Sequence, residues 1–433
     1  MTLAEIKDRI AASAAQSQAR IIALGEELLR MPEIGYREHA TSARLREEFA
    51  RLAIPCGDAE AVTGFRATLG GRASEANIGI LGEMDALVCP GHVHASVDGY
   101  AHACGHHAQL AAMLGCAIIL RESGVMEHLD GDVTFFAVPA EEFIDLDFRR
   151  SLRDAGSIRY YGGKQELIAR GAFDAVDMAM MLHAQPDAPD TKVYMKGYNL
   201  GFCAKKVTFR GKAAHGSRPY EGTNALNAAA LAILGIHSNR ETFREEERIR
   251  IHPIITKGGD VVNSVPDEVC VEMYVRGASA DAIRKGCDAV DRAVHGAAQM
   301  IGVSAEIENT PGYLPIAENE LLNSVFAENA VSVLGKEAVV FGQEITGSTD
   351  VGDLSNVLPV IQPSVGGFLG NLHGNSFTVA DPETAYVLPA KLMALTVADL
   401  LYGGAESAKR IRDTFVPSMT KKQYISYLEG EKT

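Results

Sequence analysis

The chain has 433 residues, 47% of them hydrophobic and 22% charged, which is a globular composition with more length than one ordinary core fills, so two domains are expected. A formal net charge of −15 argues against a nucleic-acid binder, which needs a basic face. Seven scattered cysteines and an N-terminus, MTLAEIKDRIAASAAQ, without a cationic patch and apolar core point to a reduced chain without a signal peptide, so the cytoplasm is the expected location.

In chain order, Ile6, Ile10, Ile21, Leu24 and Leu28 fall at helical spacing and predict one or two N-terminal helices. Short β-rich runs follow at Ala67–Leu69 and Ile78–Leu81, then an Ala/Leu-rich helix from about Gln109 to Arg121. The apolar stretch Leu110–Leu120 reads as the longest of the chain and is too short to span a bilayer, so no membrane partner is expected. DVTFFAV (132–138) and AVDMAMML (175–182) read as buried strands, and strands alternating with helices imply a mostly parallel sheet. Asp85, Glu141, Glu142 and His183 each follow a predicted strand, where the chemistry of such sheets gathers.

The texture changes over residues 196–309. Strand 204–209, helix 225–237, strands 250–256 and 269–275, helix 280–301 and a last strand near 305–308 form a β-α-β-β-α-β pattern, an inserted α+β ferredoxin-like domain. Residues 1–195 and 310–433 then form one discontinuous α/β domain, which continues through a helix at 318–334 and ends in another at 389–401.

Cys104, His106, Glu142, His183 and His373 have the types and order of a two-metal hydrolase site, a donor set suited to Zn(II) or Mn(II). Cys104 and His106, two residues apart in HACGHH, can reach neighbouring ions from one loop, and a thiolate can bridge them. Taken alone, a free cysteine is more often a small buried hydrophobe and a lone histidine is more often structural. Glu141 and Glu142, adjacent in PAEE, point in different directions, so one can bind metal while the other faces the attacking water; an ordinary surface-loop pair is the alternative, weakened by the buried strand DVTFFAVP before it. Asp85, in GEMDAL, is placed to orient His106, although an aspartate there equally suits capping of the next turn. His92 and His94 read as a mobile loop near the site, and His102 and His107 as flanking residues rather than ligands. Dinucleotide, P-loop, serine-hydrolase, zincin and deaminase motifs are absent.

The landmarks GEMDAL, HACGH, PAEE, the histidine after AVDM, KAAHGSRPYEGTNAL, VVNSVPD, GSTDVGD and LHGN resemble, in order and over nearly the whole chain, the aminoacylase and aminobenzoyl-glutamate hydrolase family of metallopeptidases and amidohydrolases. The resemblance implies a zinc-peptidase-like catalytic domain, with the insertion acting as lid and dimerisation domain in a homodimer or higher homo-oligomer. It implies two divalent ions per subunit, Mn or Zn, bridged by Cys104 and completed by His106, Glu142, His183 and His373, with one position open to partial occupancy. It further implies Glu141 as general acid/base, His215 as an oxyanion donor reaching the partner subunit's site, and Asn263 and Arg276 as groups holding the carboxylate or oxyanion of a small substrate. STDVGD (348–353) is closest to the aminobenzoyl-glutamate hydrolase branch. Three departures leave the substrate open: His107 where Asp or Asn is common, Gln109 where one branch has histidine, and FIDLDFRR in place of a glycine-rich continuation. The expected activity is metal-dependent hydrolysis of the amide of an N-acyl amino acid, dipeptide or aryl-amide conjugate. The alternatives are hydrolytic deamination of an aromatic or heterocyclic amino acid, and a non-catalytic binding homologue.

Overall fold

Two runs that are apolar on both faces, Asn77–Glu83 and Asp132–Val138, lie side by side and parallel, with every residue after the first buried. They centre a five-stranded sheet ordered Phe65–Leu69, Asp132–Val138, Asn77–Glu83, Met178–Met180, Val360–Ile361 in which only the first pair is antiparallel. The computed structural model describes residues 1–197, 199–342 and 347–430. The chain divides into one unit of residues 1–197, 317–342 and 353–422, which holds this sheet, and another of 199–316, 347–352 and 423–430.

In the first unit the helix His106–Glu122 is buried on every face from His106 to Leu120, because it packs against the sheet and against the helices Leu3–Leu29 and Leu388–Thr414. Gly115 permits that packing: a Cβ there would stand 2.7 Å from the Ala390 Cβ. The N-terminal pattern resolves into Leu3–Leu29, started by a Thr2/Glu5 capping box, and a second helix, His39–Arg51. AVDMAMML is not one strand. Met178–Met180 joins the main sheet, while His183–Ala184 pairs with Ser364–Val365 in a second, four-stranded sheet. The expectation about apolar length also needs correcting. The helical stretch Glu383–Thr414 is long and apolar enough to cross a membrane by composition, but 89% of its most apolar window is buried inside the protein, as a core helix would be. It is interrupted by non-helical residues Tyr402–Ala405.

In the second unit four antiparallel strands run in the order Arg250–Lys257, Glu268–Gly277, Gly201–Arg210, Ser304–Pro311. The helices Ala225–Ser238 and Ala280–Ile301, capped by Asn224 and Ser279, pack against this sheet through an apolar cluster that includes Val207, Phe209, Val271, Val290 and Val294. The chain order is β-α-β-β-α-β, the ferredoxin-like arrangement. The expected boundary at 309/310 would cut the edge strand Ser304–Pro311, which belongs wholly to this sheet, and the unit also takes in residues 347–352.

Candidate metal centre

The carboxyl ends of three neighbouring strands supply the first part of the site. Glu83 and Asp85 end and follow Asn77–Glu83, Glu141 and Glu142 follow Asp132–Val138, and His183 follows Met178–Met180. Cys104 precedes the buried helix and His106 is that helix's first residue. Gly105 between them has φ +87°, and a Cβ there would lie 2.6 Å from the Ala184 Cβ, so this position takes glycine for both conformation and space. The glutamate pair is turned inward at Ala140, whose φ is 54° and whose N–H donates to the buried Glu38 carboxylate at 2.9 Å. His373, from the glycine-rich segment, is docked by its backbone N–H onto the Ala103 carbonyl at 2.8 Å.

These side chains form two groups that share one atom. Ligand atoms of Cys104, His106 and His183 lie within 4.8 Å of one another, and so do those of Cys104, Glu142 and His373. The Cys104 Sγ is 3.6 Å from His183 Nε2, and His373 Nε2 is 3.2 Å from Glu142 Oε1. Asp85 ties the groups together. Its Oδ2 accepts the Glu142 amide at 2.8 Å, and its backbone oxygen and Oδ1 stand 2.8 and 3.3 Å from His106 Nδ1. With Nδ1 so engaged, Nε2 is the nitrogen that His106 offers to an ion. The buried His106 Nε2 and Glu142 Oε1 have no well-aligned hydrogen bond among the described residues.

The electrostatics ask for cations. Burial opposes ionisation of Cys104, yet the surrounding His106, His183 and His373 hold its thiol well below the ordinary range. Burial likewise opposes charge on His106, but Glu83, Cys104 and Asp85 raise it well above the usual imidazole value. His373 is pushed up to about 10 by its contacts with Cys104 and Glu142. Burial, then the Cys104 thiolate, lifts Glu142 to about 7. Positive charge is thus demanded around a shared thiolate, and divalent ions that displace imidazole protons satisfy the same demand. The donor set, the shared sulfur and the two poorly bonded ligand atoms all fit a pair of metal ions.

Four buried residues that sequence reasoning passed over shape this centre. Glu83 lies 3.2 Å from His106 Nε2 and accepts hydrogen bonds from Lys164 (2.5 Å) and Gln109 (2.8 Å). The Arg149 guanidinium donates to the carbonyls of Tyr161 (2.7 Å), Ala140 (3.4 Å) and Glu142. Glu38 is the fourth. After the glutamate pair, residues 143–161 make an excursion, and Gly162–Gly163 bring the chain back against it. The Gly163 N–H reaches the Ala140 carbonyl, and a Cβ there would fall 1.6 Å from the Pro139 oxygen. Glu83 was open to discovery, since it stands on GEMDAL itself; Arg149 and Lys164 lie in and just beyond a segment without family pattern.

The other singled-out residues fall elsewhere. His92 is buried, with Nε2 2.6 Å from the Phe377 carbonyl, so this part of the expected mobile loop is tied down. His102 and His107 are fully buried and belong to neither ligand group; burial pushes His102 down to about 3. His215, Asn263 and Arg276 belong to the second unit. His215 pairs in a β-bridge with Ser264, next to Asn263. Arg276 lies over the rings of Phe202 and Tyr274 and donates to the Ser348 hydroxyl at 2.9 Å, which links the VRG strand to the STDVGD segment.

Comparison with known proteins supplies a further finding. The model described as peptidase family M20/M25/M40 matches residues 79–396. The human Xaa-Arg dipeptidase is 28% identical, over 98% of this chain and 95% of its own length. Among solved structures, a putative aminohydrolase from methicillin-resistant Staphylococcus aureus superposes with a TM-score of 0.79 at 21% identity, covering 91% of this chain and all of its own. A dinuclear metal-binding peptidase of the M20 family from Bacillus subtilis gives a TM-score of 0.72 at 22% identity, covering 89% of this chain and 99% of its own.

Proposed function

Because the chain belongs to peptidase family M20/M25/M40, we propose that it cleaves the C–N amide bond of an N-acyl amino acid, a dipeptide or an aryl-amide conjugate. The reaction class is metal-dependent hydrolysis of a C–N bond. The observation that carries the reading is the pair of ligand groups sharing Cys104, with Glu141 beside Glu142 at their edge. His106 and His183 would hold one ion, Glu142 and His373 the other, and Cys104 both. Mn(II) and Zn(II) are the ions that this mixed sulfur, nitrogen and oxygen set suits.

Bound there, the ions would supply Lewis acidity toward the scissile carbonyl and acidify the attacking water. Glu141 takes the proton of that water as its oxygen adds to the carbonyl carbon, then delivers a proton to the departing nitrogen. Asp85 fixes the ring of His106 and the backbone of Glu142 together, while Glu38 and Arg149 hold the loop on which Glu141 sits. By the resemblance, His215 would serve the tetrahedral oxyanion in the partner subunit's site, a donor of a kind whose loss costs ~10²–10³ in rate. By the same resemblance, Asn263 and Arg276 would hold the substrate's carboxylate or oxyanion, and the guanidinium of Arg276, set over two aromatic rings, has the planar fork that a carboxylate grip uses. Association into a homodimer is supported by the second unit's edge strand Arg250–Lys257, which exposes Ile254 and Ile255.

The test is a screen of N-acyl amino acids, dipeptides and aromatic amino acids with Mn(II)- and Zn(II)-loaded protein, reading free amino acid and ammonia separately. Release of an amino acid supports amide hydrolysis. Ammonia without an amino-acid product would replace it with deamination, the reading that the unusual excursion at residues 143–161 favours.

A further inference from the structure

Besides the two groups that share Cys104, a third set of ligand atoms, on Glu83, His106 and Glu141, lies within 4.8 Å of one another. It meets the first group at His106 Nε2, a buried nitrogen with no well-aligned hydrogen bond among the described residues, 3.2 Å from Glu83 Oε2 and 3.9 Å from Glu141 Oε2. An ion seated on His106 through Nε2 therefore has a sixth donor residue, Glu83, within reach. Catalytic metal sites keep one position open for substrate or water, and a further carboxylate there would fill it.

Glu83 is held in a way that decides between these states. Its carboxylate is 1% exposed and pairs through Oε1 with the ammonium of Lys164, which is 0% exposed. Gln109 clamps it a second time, donating to Oε2 at 2.8 Å while its own oxygen accepts the Glu83 backbone N–H at 3.2 Å. Lys164 arrives from the first turn of the helix Gly163–Arg170, which begins where the chain returns from the 143–161 excursion. Gln109 stands on the buried helix one turn beyond His106. A buried carboxylate without its ammonium would seek the nearest other cation, which in the loaded centre is the ion on His106.

We propose that Lys164 is a positioning residue that, with Gln109, withholds Glu83 from the metal and so keeps a coordination position open for the reaction. The departure at Gln109 then has a purpose, because an amide can clamp both the side chain and the backbone of Glu83. This inference rests on the metal-centre reading above.

The test loads the parent, Lys164→Met and the double variant Glu83→Gln/Lys164→Met with Co(II) and Mn(II). Affinity is read by chelator competition, coordination by the visible Co(II) spectrum, and kcat and KM on whichever substrate the screen yields. In Lys164→Met, Glu83 becomes a ligand. Binding tightens by roughly tenfold or more, the size of effect that groups around metal ligands exert. The Co(II) bands weaken as coordination number rises, and kcat falls while KM changes little. The double variant, with a neutral and poorly ligating glutamine, returns affinity and spectrum to those of the parent and regains kcat relative to Lys164→Met. Unchanged or weaker binding in Lys164→Met with the parent's spectrum overturns the role of Lys164. Should the unpaired Glu83 prevent that variant from folding, a double variant that binds more weakly than the parent overturns it too. A parent that binds neither ion overturns the metal-centre reading itself, and this inference with it.

Discussion

The carboxylate of Asp85 accepts the backbone N–H of Glu142 at 2.8 Å, so the residue that orients His106 also fixes the chain at a member of the other candidate ligand group. Burial would raise the pKa of Asp85, but its bond to His106 and the nearby charges hold it below the usual carboxylate value. Asp85→Asn removes that charge and can turn an N–H toward the Glu142 amide. Metal affinity is expected to fall ~10–100-fold, as for other partners of ligating histidines. Chelator competition measures it, and unchanged affinity would show that Asp85 does not couple the two groups.

Glu141→Gln separates base from ligand. Glu141 is buried beside Glu142 but belongs to neither of the groups that share Cys104. The variant should retain its full complement of metal while kcat drops ~10²–10⁴-fold, the usual scale for general acid–base catalysis. Metal content and turnover measured on one preparation decide the matter. Loss of metal would make Glu141 a ligand, and unchanged turnover would remove it from the mechanism.

The residues of the two candidate ligand groups were legible because each is anchored to a motif or a strand end: Cys104 and His106 flank a glycine required for both conformation and space, and Glu142 follows an unbroken apolar strand. Periodicity gave the main sheet and the inserted β-α-β-β-α-β unit for the same reason, since burial on two faces or on one leaves its pattern in the residues. It failed at AVDMAMML, where a run of seven apolar residues and one aspartate hides a change of sheet that hydrophobicity cannot register. It also failed at Glu38, Arg149 and Lys164. A buried charge looks like a surface charge in sequence, and only the tertiary partners, such as the three carbonyls around Arg149, tell them apart.

Arg149 is the strap of the glutamate loop. It is 1% exposed, and its guanidinium spans carbonyls on both sides of Glu141. Arg149→Met removes the charged donor from all three carbonyls, although those of Ala140 and Glu142 keep the backbone N–H groups of Gly163 and Ile144, and a hydrogen bond to a charged group is worth roughly 1.5–3 kcal/mol. The melting temperature should fall, and kcat should fall more than KM rises, because small displacements of a catalytic group can cost ~10²-fold. Arg149→Lys should recover part of both losses, since an ammonium reaches some of the carbonyls. A variant that melts earlier yet keeps its parent's kcat would confine Arg149 to stability.

Glu38 predicts a pH dependence of folding. Burial, then repulsion from Asp85, raises its carboxyl to about 8 from an ordinary 4.5, while Thr63 and the Ala140 amide bond to it. Below about pH 4.5 the folded and unfolded chains both carry this proton, so the group contributes no slope. Between about 4.5 and about 8 only the folded chain keeps it, and stability falls as pH rises. Above that window both forms are ionised and the contribution is level. Glu38→Gln imitates the protonated acid, with its oxygen facing the Ala140 amide and its NH₂ facing the Thr63 hydroxyl. The variant should therefore lose this part of the slope and gain stability over the parent as pH rises. Urea unfolding of both chains at pH 5 and pH 8 measures the difference, and parallel changes in the two midpoints would mean that Glu38 ionises normally in the fold.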